Sequence, residues 1–467
     1  MKIFVLLLIS FLNFILWFTG VGSINDTIFL IPLLSLVISV VSIFPRIKGK
    51  RVEVKLLYFA FVGIIYFNAP LYFKSLYDSE EVLFILRQIR VSESYFIKSN
   101  ILLGISLPLI CLGYEVGIKS KQIFINQNRF NLRLPKLPKK FFGYLTILFL
   151  ILSISITGFT VGGTYIGTSS YYYILLIRSV TIVSAILIFN TVIKEGIKKD
   201  IYFYLKENKF SFFVILFFLL YVLVGGDRGP ALTILSILIF GFILINKMWL
   251  KTRHLFIGLF VVFLLSSIFT FVEVLRLMNN ETLSLATLND TLFSYKDYEN
   301  VSGITIRCTS LAIEGIENNL YPHTYGIFFL QYLLQGIPFV GNAILENLMP
   351  VDSMLSKGSA HLLSIQYYGF NYTSGLGTSY LADIYIEFGV IGVIIISLFY
   401  GFMVGKFDKS LKNISVLSFA SFLLILIFVG YSFYTGRSTL WSFLVNFFHT
   451  WILYSFVNVF FVKPFRK

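Results

Sequence analysis

The sequence predicts an all-α polytopic membrane protein of about twelve transmembrane helices, with a long, partly helical extracytoplasmic loop in its C-terminal half. Three observations carry this. Of the 467 residues, 57% are hydrophobic and only 13% charged, with a mean hydropathy of +0.84, whereas a soluble globular chain is roughly one quarter charged. Apolar stretches of about 20 residues recur along the whole chain, the length that a helix needs to cross hydrocarbon, and their continuity points to helices rather than barrel strands. The basic residues, finally, collect on one side of those stretches.

The stretches lie near 3–21, 27–44, 55–73, 99–117, 141–160, 171–193, 210–225, 230–246, 254–273, 379–403, 414–432 and 439–460. The first follows Met1-Lys2 and resembles a secretion signal. It has no small-x-small cleavage site and is long enough to span, so it is read as the first helix. With the N-terminus in the cytoplasm, the inside segments are Met1-Lys2, 45–55, 118–140, 194–209, 247–254, 404–413 and 461–467. Together they hold 27 of the 38 Lys and Arg residues. Short loops on the other side, such as Ser23–Asp26 and Gly162–Ser170, carry none. That asymmetry is the positive-inside pattern and puts both termini in the cytoplasm.

Two outer segments depart from it. Loop 74–98 has Lys74, Arg87, Arg90 and Lys98, offset by Asp78, Glu80, Glu81 and Glu93. Segment 274–378 has Arg276, Lys296, Arg307 and Lys357 against twice as many acids. Within it, Thr309–Asn347 is apolar and aromatic enough to be helical and to rest on the membrane. No internal repeat or low-complexity linker interrupts the chain. Residues 1–467 therefore read as one membrane domain with 274–378 as an elaborated outer loop, and the absence of inverted repeats disfavours a transporter.

The net charge of +15 suggests a nucleic-acid partner at first sight, but the basic residues are scattered among spans and topology accounts for them. Cys111 and Cys308 supply neither a disulfide framework nor a metal spacing. The four histidines, His254, His323, His361 and His449, form no H-x-x-H pattern, and there is no Walker loop or dinucleotide fingerprint. Neither a metal nor a cofactor is expected.

Chemistry concentrates at the outer face. Gly225-Gly226-Asp227-Arg228-Gly229-Pro230 joins two apolar runs, and a charged turn there must lie at a membrane surface. Pro230 suits a helical first turn, whose free N–H groups make an anion-binding corner with Arg228 beside Asp227 and Gly229. Arg276 and Arg437 share that face, and Arg178 lies in the outer third of the sixth span. Guanidinium forks match phosphate oxygens. Headgroup snorkelling explains any one of these arginines; the set favours an anionic ligand. A second constellation opens the tenth span: Gly375, Gly377 and Ser379, then Asp383, Tyr385 and Glu387. Ser379, Asp383 and Glu387 share one helix face. The two acids either position a hydroxyl or pair with the arginines. His361 and His323, in the outer loop, are candidate bases.

Here the chain resembles the O-antigen polymerase family, the Wzy-type oligosaccharide repeat-unit polymerases. Gly226-Asp227-Arg228-Gly229 resembles that family's G-x-R-G turn. Tyr321-Pro322-His323-Thr324-Tyr325-Gly326, followed by Gly336-Ile337-Pro338, is similar to its "tyG … iP" stretch, and Ser379–Gly389 resembles its S-x-x-x-E-x-Y-x-N-F-G helix start. Asp383 stands where Glu is usual, and Glu387 where Asn is usual. The resemblance implies transfer of a growing glycan from undecaprenyl pyrophosphate to a second lipid-linked repeat unit, with release of undecaprenyl pyrophosphate and inversion at the donor. The product would be O-antigen or capsular polysaccharide. On that reading Arg228, Arg276, Arg437 and Arg178 bind pyrophosphate, and Asp383 orients the acceptor with His361 and Glu387 in reserve. Asp227, Gly229, Tyr325, Gly375, Gly377, Ser379 and Tyr385 would line the substrate path. Partners would be donor and acceptor lipid-linked oligosaccharides, membrane lipids and a chain-length-regulating co-polymerase. An O-antigen ligase, or a lipid-linked oligosaccharide flippase, is the alternative.

Overall fold

Helix follows helix in the computed structural model, which describes residues 2–26, 28, 30–43, 79–88, 90–120, 139–157, 171–193, 208–224, 228–245, 301–335, 337, 344, 347, 358–370, 376–411, 418–432 and 439–462. Fourteen α-helices occur among these residues. They are α1 Lys2–Thr19, α2 Leu30–Ile43, α3 Ser79–Gln88, α4 Glu93–Lys119, α5 Lys139–Thr157, α6 Tyr171–Ile193, α7 Lys209–Val224, α8 Arg228–Ile245, α9 Val301–Glu317, α10 Ile327–Gln335, α11 Ser359–Tyr368, α12 Tyr380–Leu411, α13 Phe419–Ser432 and α14 Ser442–Val457. Ten of the twelve stretches expected to span coincide with a helix; those near 55–73 and 254–273 lie outside the described residues. Among the described residues, four helices are long and apolar enough to cross a membrane: Lys2–Thr19, Glu93–Lys119, Tyr380–Leu411 and Ser442–Phe460.

The core is organised on α4. It is apolar around its whole circumference, and such a helix is stable only when surrounded. Ile101, Leu102, Ile105 and Ile110 are accordingly buried. Helices α1, α2, α9 and α12 pack on it, α12 most extensively. Glycine sets that contact. Gly113 and Gly117 of α4 face the Leu398 and Phe402 carbonyls, while Gly401 and Gly405 of α12 face the Ile110 and Tyr114 carbonyls. A Cβ at any of the four would collide with the opposing backbone. Two small-x-x-x-small stripes thus bring the helix backbones together, a packing mode suited to lipid, where apolar side chains gain little by leaving their solvent.

Polar groups sort to the two ends of this unit. At one end Lys2 Nζ meets Glu115 Oε1 at 2.5 Å, and the Tyr114 hydroxyl donates to Asp408 Oδ2 at 2.6 Å. At the other the Ile24 N–H donates to Glu93 Oε1 at 2.7 Å, and Lys98 Nζ pairs with Glu317 at 2.5 Å. A second group comprises α5, α6, α7, α8, α13 and α14. Phe428 of α13 joins the two, lying against Tyr400 and Phe407 of α12 and Phe443 of α14. The apolar face of α9 turns to protein: Cys308, Leu311, Ala312 and Ile313 are buried against α4 and α12.

Candidate functional site

Helix α12 begins as its sequence dictates. Ser379 accepts the Ala382 N–H at 3.1 Å, an N-cap that satisfies one free donor of the first turn. Its Oγ also meets Thr309 Oγ1 at 2.9 Å, which ties α9 to the same corner. Gly377, just upstream, has φ +84°, a backbone region that side chains disfavour. One turn on, Asp383 is 1% exposed. Its Oδ1 accepts from the Ser359 hydroxyl at the start of α11 and from Thr378 Oγ1 at 2.8 Å. Oδ2 accepts the Leu440 N–H at 3.1 Å, just ahead of α14. The carboxylate therefore ties α11 and the stretch before α14 to the start of α12.

Glu387 lies four residues on and differs. Its Oε1 accepts the Phe329 N–H at 2.8 Å in the first turn of α10, whereas Oε2 is buried without a hydrogen-bond partner. The helix then breaks at Gly389, with φ 62° and ψ −156°. A break frees carbonyls that the next turn would have used. The segment 323–325 takes them up: the Thr324 N–H donates to Ile386 O and the Tyr325 N–H to Glu387 O, both at 3.0 Å. His323 Nδ1 stands 3.2 Å from the same Ile386 carbonyl. A carbonyl can only accept, so Nδ1 carries the proton and Nε2 presents its lone pair. The ring is half-buried, edge-on to Tyr385 at 5.9 Å and to Tyr325 at 6.1 Å. Tyr385 in turn meets Trp17 of α1 at 5.6 Å. Two motifs some sixty residues apart in sequence thus form one corner at the Glu93–Glu317 end of the bundle.

Of the four arginines, Arg178 is the best placed to be judged. It is 9% exposed on α6, its Nε has no hydrogen-bond partner, and no carboxylate among the described residues pairs with it. Tyr431 of α13 and His449 of α14 lie within electrostatic reach. The His449 ring nitrogens make no hydrogen bond of ordinary geometry. Only the backbone of Arg228 is described; it opens α8, which packs on α6. Gly229 follows in that first turn, where its carbonyl accepts from Thr233 at 2.9 Å. Arg276, Arg437, Asp227 and Gly375 lie outside the described residues. His361 is half-buried on α11, two residues past Ser359, and Tyr325 is 77% exposed with φ 47°.

The carbonyl that orients His323 was not legible in the residues, because it exists only where α12 breaks. The signal was Gly389 itself, a glycine inside a helical pattern.

The family model for O-antigen polysaccharide polymerase Wzy matches residues 1–467, the full length of the chain. The chain belongs to the O-antigen polysaccharide polymerase Wzy family. Comparison with curated proteins and with solved structures found no match. Membership makes the protein a polymerase of lipid-linked repeat units, and its apolar helices agree with a multi-pass membrane protein. The corner built from 323–325 and 379–389 coincides with two of the three stretches on which the resemblance rested.

Proposed function

We propose that this polymerase joins undecaprenyl-pyrophosphate-linked repeat units into O-antigen or capsular polysaccharide on the outer face of the inner membrane, releasing undecaprenyl pyrophosphate. The observation that carries this reading is Arg178, a guanidinium inside an apolar helical bundle with no acid paired to it among the described residues. A buried cation without a counter-ion costs several kcal/mol, which an anionic ligand offsets. Helix α8, which packs on α6, begins at Arg228, so Arg178 and Arg228 belong to one group of helices, and Arg437, outside the described residues, is taken as the third. Arg276 is the fourth. Together they hold the pyrophosphate and stabilise the charge that develops as it leaves.

The acceptor side belongs to the corner at the α12 break. His323 Nε2 takes the proton of the attacking sugar hydroxyl, and Glu387 Oε2, with an acceptor site to spare, holds that hydroxyl in line. Asp383 is a positioning residue that keeps α11, Thr378 and the approach to α14 in place around it. Gly375, Gly377, Ser379, Tyr325 and Tyr385 border the path of the glycan. Direct attack of the hydroxyl on the activated donor inverts its anomeric carbon. The pairing of Lys2 with Glu115 and the basic segments 45–55 and 118–140 favour a cytoplasmic location for that end. The twelve-span topology with both termini inside follows. A chain-length-regulating partner suits the same face.

The deciding experiment is reconstitution of the purified protein with a lipid-linked repeat unit. Wild type should build a polymer ladder, and Arg178→Ala, Arg228→Ala and Arg437→Ala should leave single repeats. Ladders of normal length from all three variants would refute the pyrophosphate assignment. Transfer of finished polymer to a lipid A core without lengthening would mark a ligase instead.

A further inference from the structure

Two arginines outside that site converge on one tyrosine. Arg307 of α9 is only 4% exposed, and its Nε has no hydrogen-bond partner. Its guanidinium carbon lies 4.7 Å from the centre of the Tyr367 ring on α11. The guanidinium carbon of Arg90 lies 5.5 Å from the centre of the same ring. Among the described residues neither arginine forms an ion pair, although Glu314 stands two turns along α9 on the face of Arg307. Burial holds the Glu314 carboxyl above its ordinary range, the opposite of what a neighbouring guanidinium would do. A ring face attracts one cation well; two drawn to one ring repel each other, and an anion that reaches both relieves that repulsion.

The surroundings favour a sugar. Tyr368 packs edge-on against Tyr367 at 4.7 Å and is 45% exposed, and Phe370 beyond it is 67% exposed. Aromatic faces beside a guanidinium fork combine stacking for a pyranose ring with bidentate pairing for its carboxylate. Arg90 caps the end of α3 in the left-handed region, φ 53°, where glycine is the usual residue. It lies three residues ahead of α4, at the end of that apolar helix that carries Glu93 and Lys98.

We propose that Arg90, Arg307 and Tyr367 form a binding site for the carboxylate of an acidic sugar in the repeat unit. The site engages the glycan away from its lipid carrier. This inference rests on the polymerase reading, and its test is separable from it. Full-length protein in nanodiscs would be titrated calorimetrically with three probes: the repeat-unit oligosaccharide freed from its carrier, the same oligosaccharide with its carboxylates amidated, and farnesyl diphosphate. The free oligosaccharide should bind, and amidation should weaken it at least tenfold. Arg90→Ala, an exposed position, should weaken the native oligosaccharide by a similar factor while leaving the amidated form and farnesyl diphosphate unchanged. A repeat unit with no acidic sugar overturns the proposal, and so does equal binding by Arg90→Ala. If that variant instead loses farnesyl diphosphate, the pair serves the carrier and the sugar assignment is wrong. Should wild type bind the acidic oligosaccharide yet fail to lengthen lipid-linked units, only the polymerase reading falls.

Discussion

Asp383→Asn separates tethering from proton transfer at the start of α12. In the folded protein the carboxylate accepts from Ser359, Thr378 and the Leu440 N–H, and the Thr439 side chain also hydrogen-bonds to it. Asparagine can keep these contacts: its carbonyl oxygen faces the Leu440 N–H, its amide donates to Ser359 and Thr378, whose hydroxyls rotate to accept, and the Thr439 hydroxyl can turn to either group. The substitution should therefore cost under about 1 kcal/mol. Asp383→Ala leaves the Leu440 N–H buried and unpaired and opens a cavity. The Ser359 and Thr378 hydroxyls are 3.2 Å apart and can pair with each other, so the loss concentrates on that one amide, for a total of about 3 kcal/mol. If Asp383 were the general base, asparagine would instead lower the rate by roughly 100- to 10,000-fold, about 3–5 kcal/mol in the barrier. Polymer ladders from reconstituted protein, read beside thermal unfolding in detergent, distinguish these outcomes. Asp383→Asn should polymerise within a few-fold of wild type, and Asp383→Ala should unfold earlier. A well-folded Asp383→Asn with a hundredfold slower ladder would refute the tethering role and return the acid to the chemistry.

The remaining expectations follow from the same corner and from the core. His323→Asn, whose side-chain amide nitrogen takes the place of Nδ1 as donor to the Ile386 carbonyl but presents no base, should slow polymerisation about 100-fold or more with little change in the melting temperature. A rate within threefold of wild type would remove His323 from the proton path. Gly401→Ala should gain about 1 kcal/mol in helix propensity yet lose about 3 kcal/mol by forcing α12 off the Ile110 carbonyl, for a net loss of about 2 kcal/mol. The double variant with Gly113→Ala should cost less than the sum, since both push the same helices apart. Gly22→Ala, in a loop where an added Cβ meets no atom within 4 Å, is the steric control. Equal stability of Gly401→Ala and Gly22→Ala in detergent unfolding would show that the α4–α12 contact is looser than described.

Composition and charge were enough to determine a helical membrane chain, the approximate ends of its apolar helices and the segments worth watching. These follow from solvation, a property each stretch carries locally: twenty apolar residues partition into lipid wherever they occur. The spacing of Asp383 and Glu387 likewise placed both acids on one face. What the residues could not decide is which partner each acid meets. Asp383 is held by Ser359, Thr378 and Leu440, whereas Glu387 keeps one oxygen free, and Ser359 and Leu440 come from two other parts of the chain. The tautomer of His323, the glycine stripes of α4 and α12, and the gathering of Arg90 and Arg307 on Tyr367 belong to the same class. Each depends on contacts between segments distant in sequence, and only the packed helices bring those segments within reach of one another.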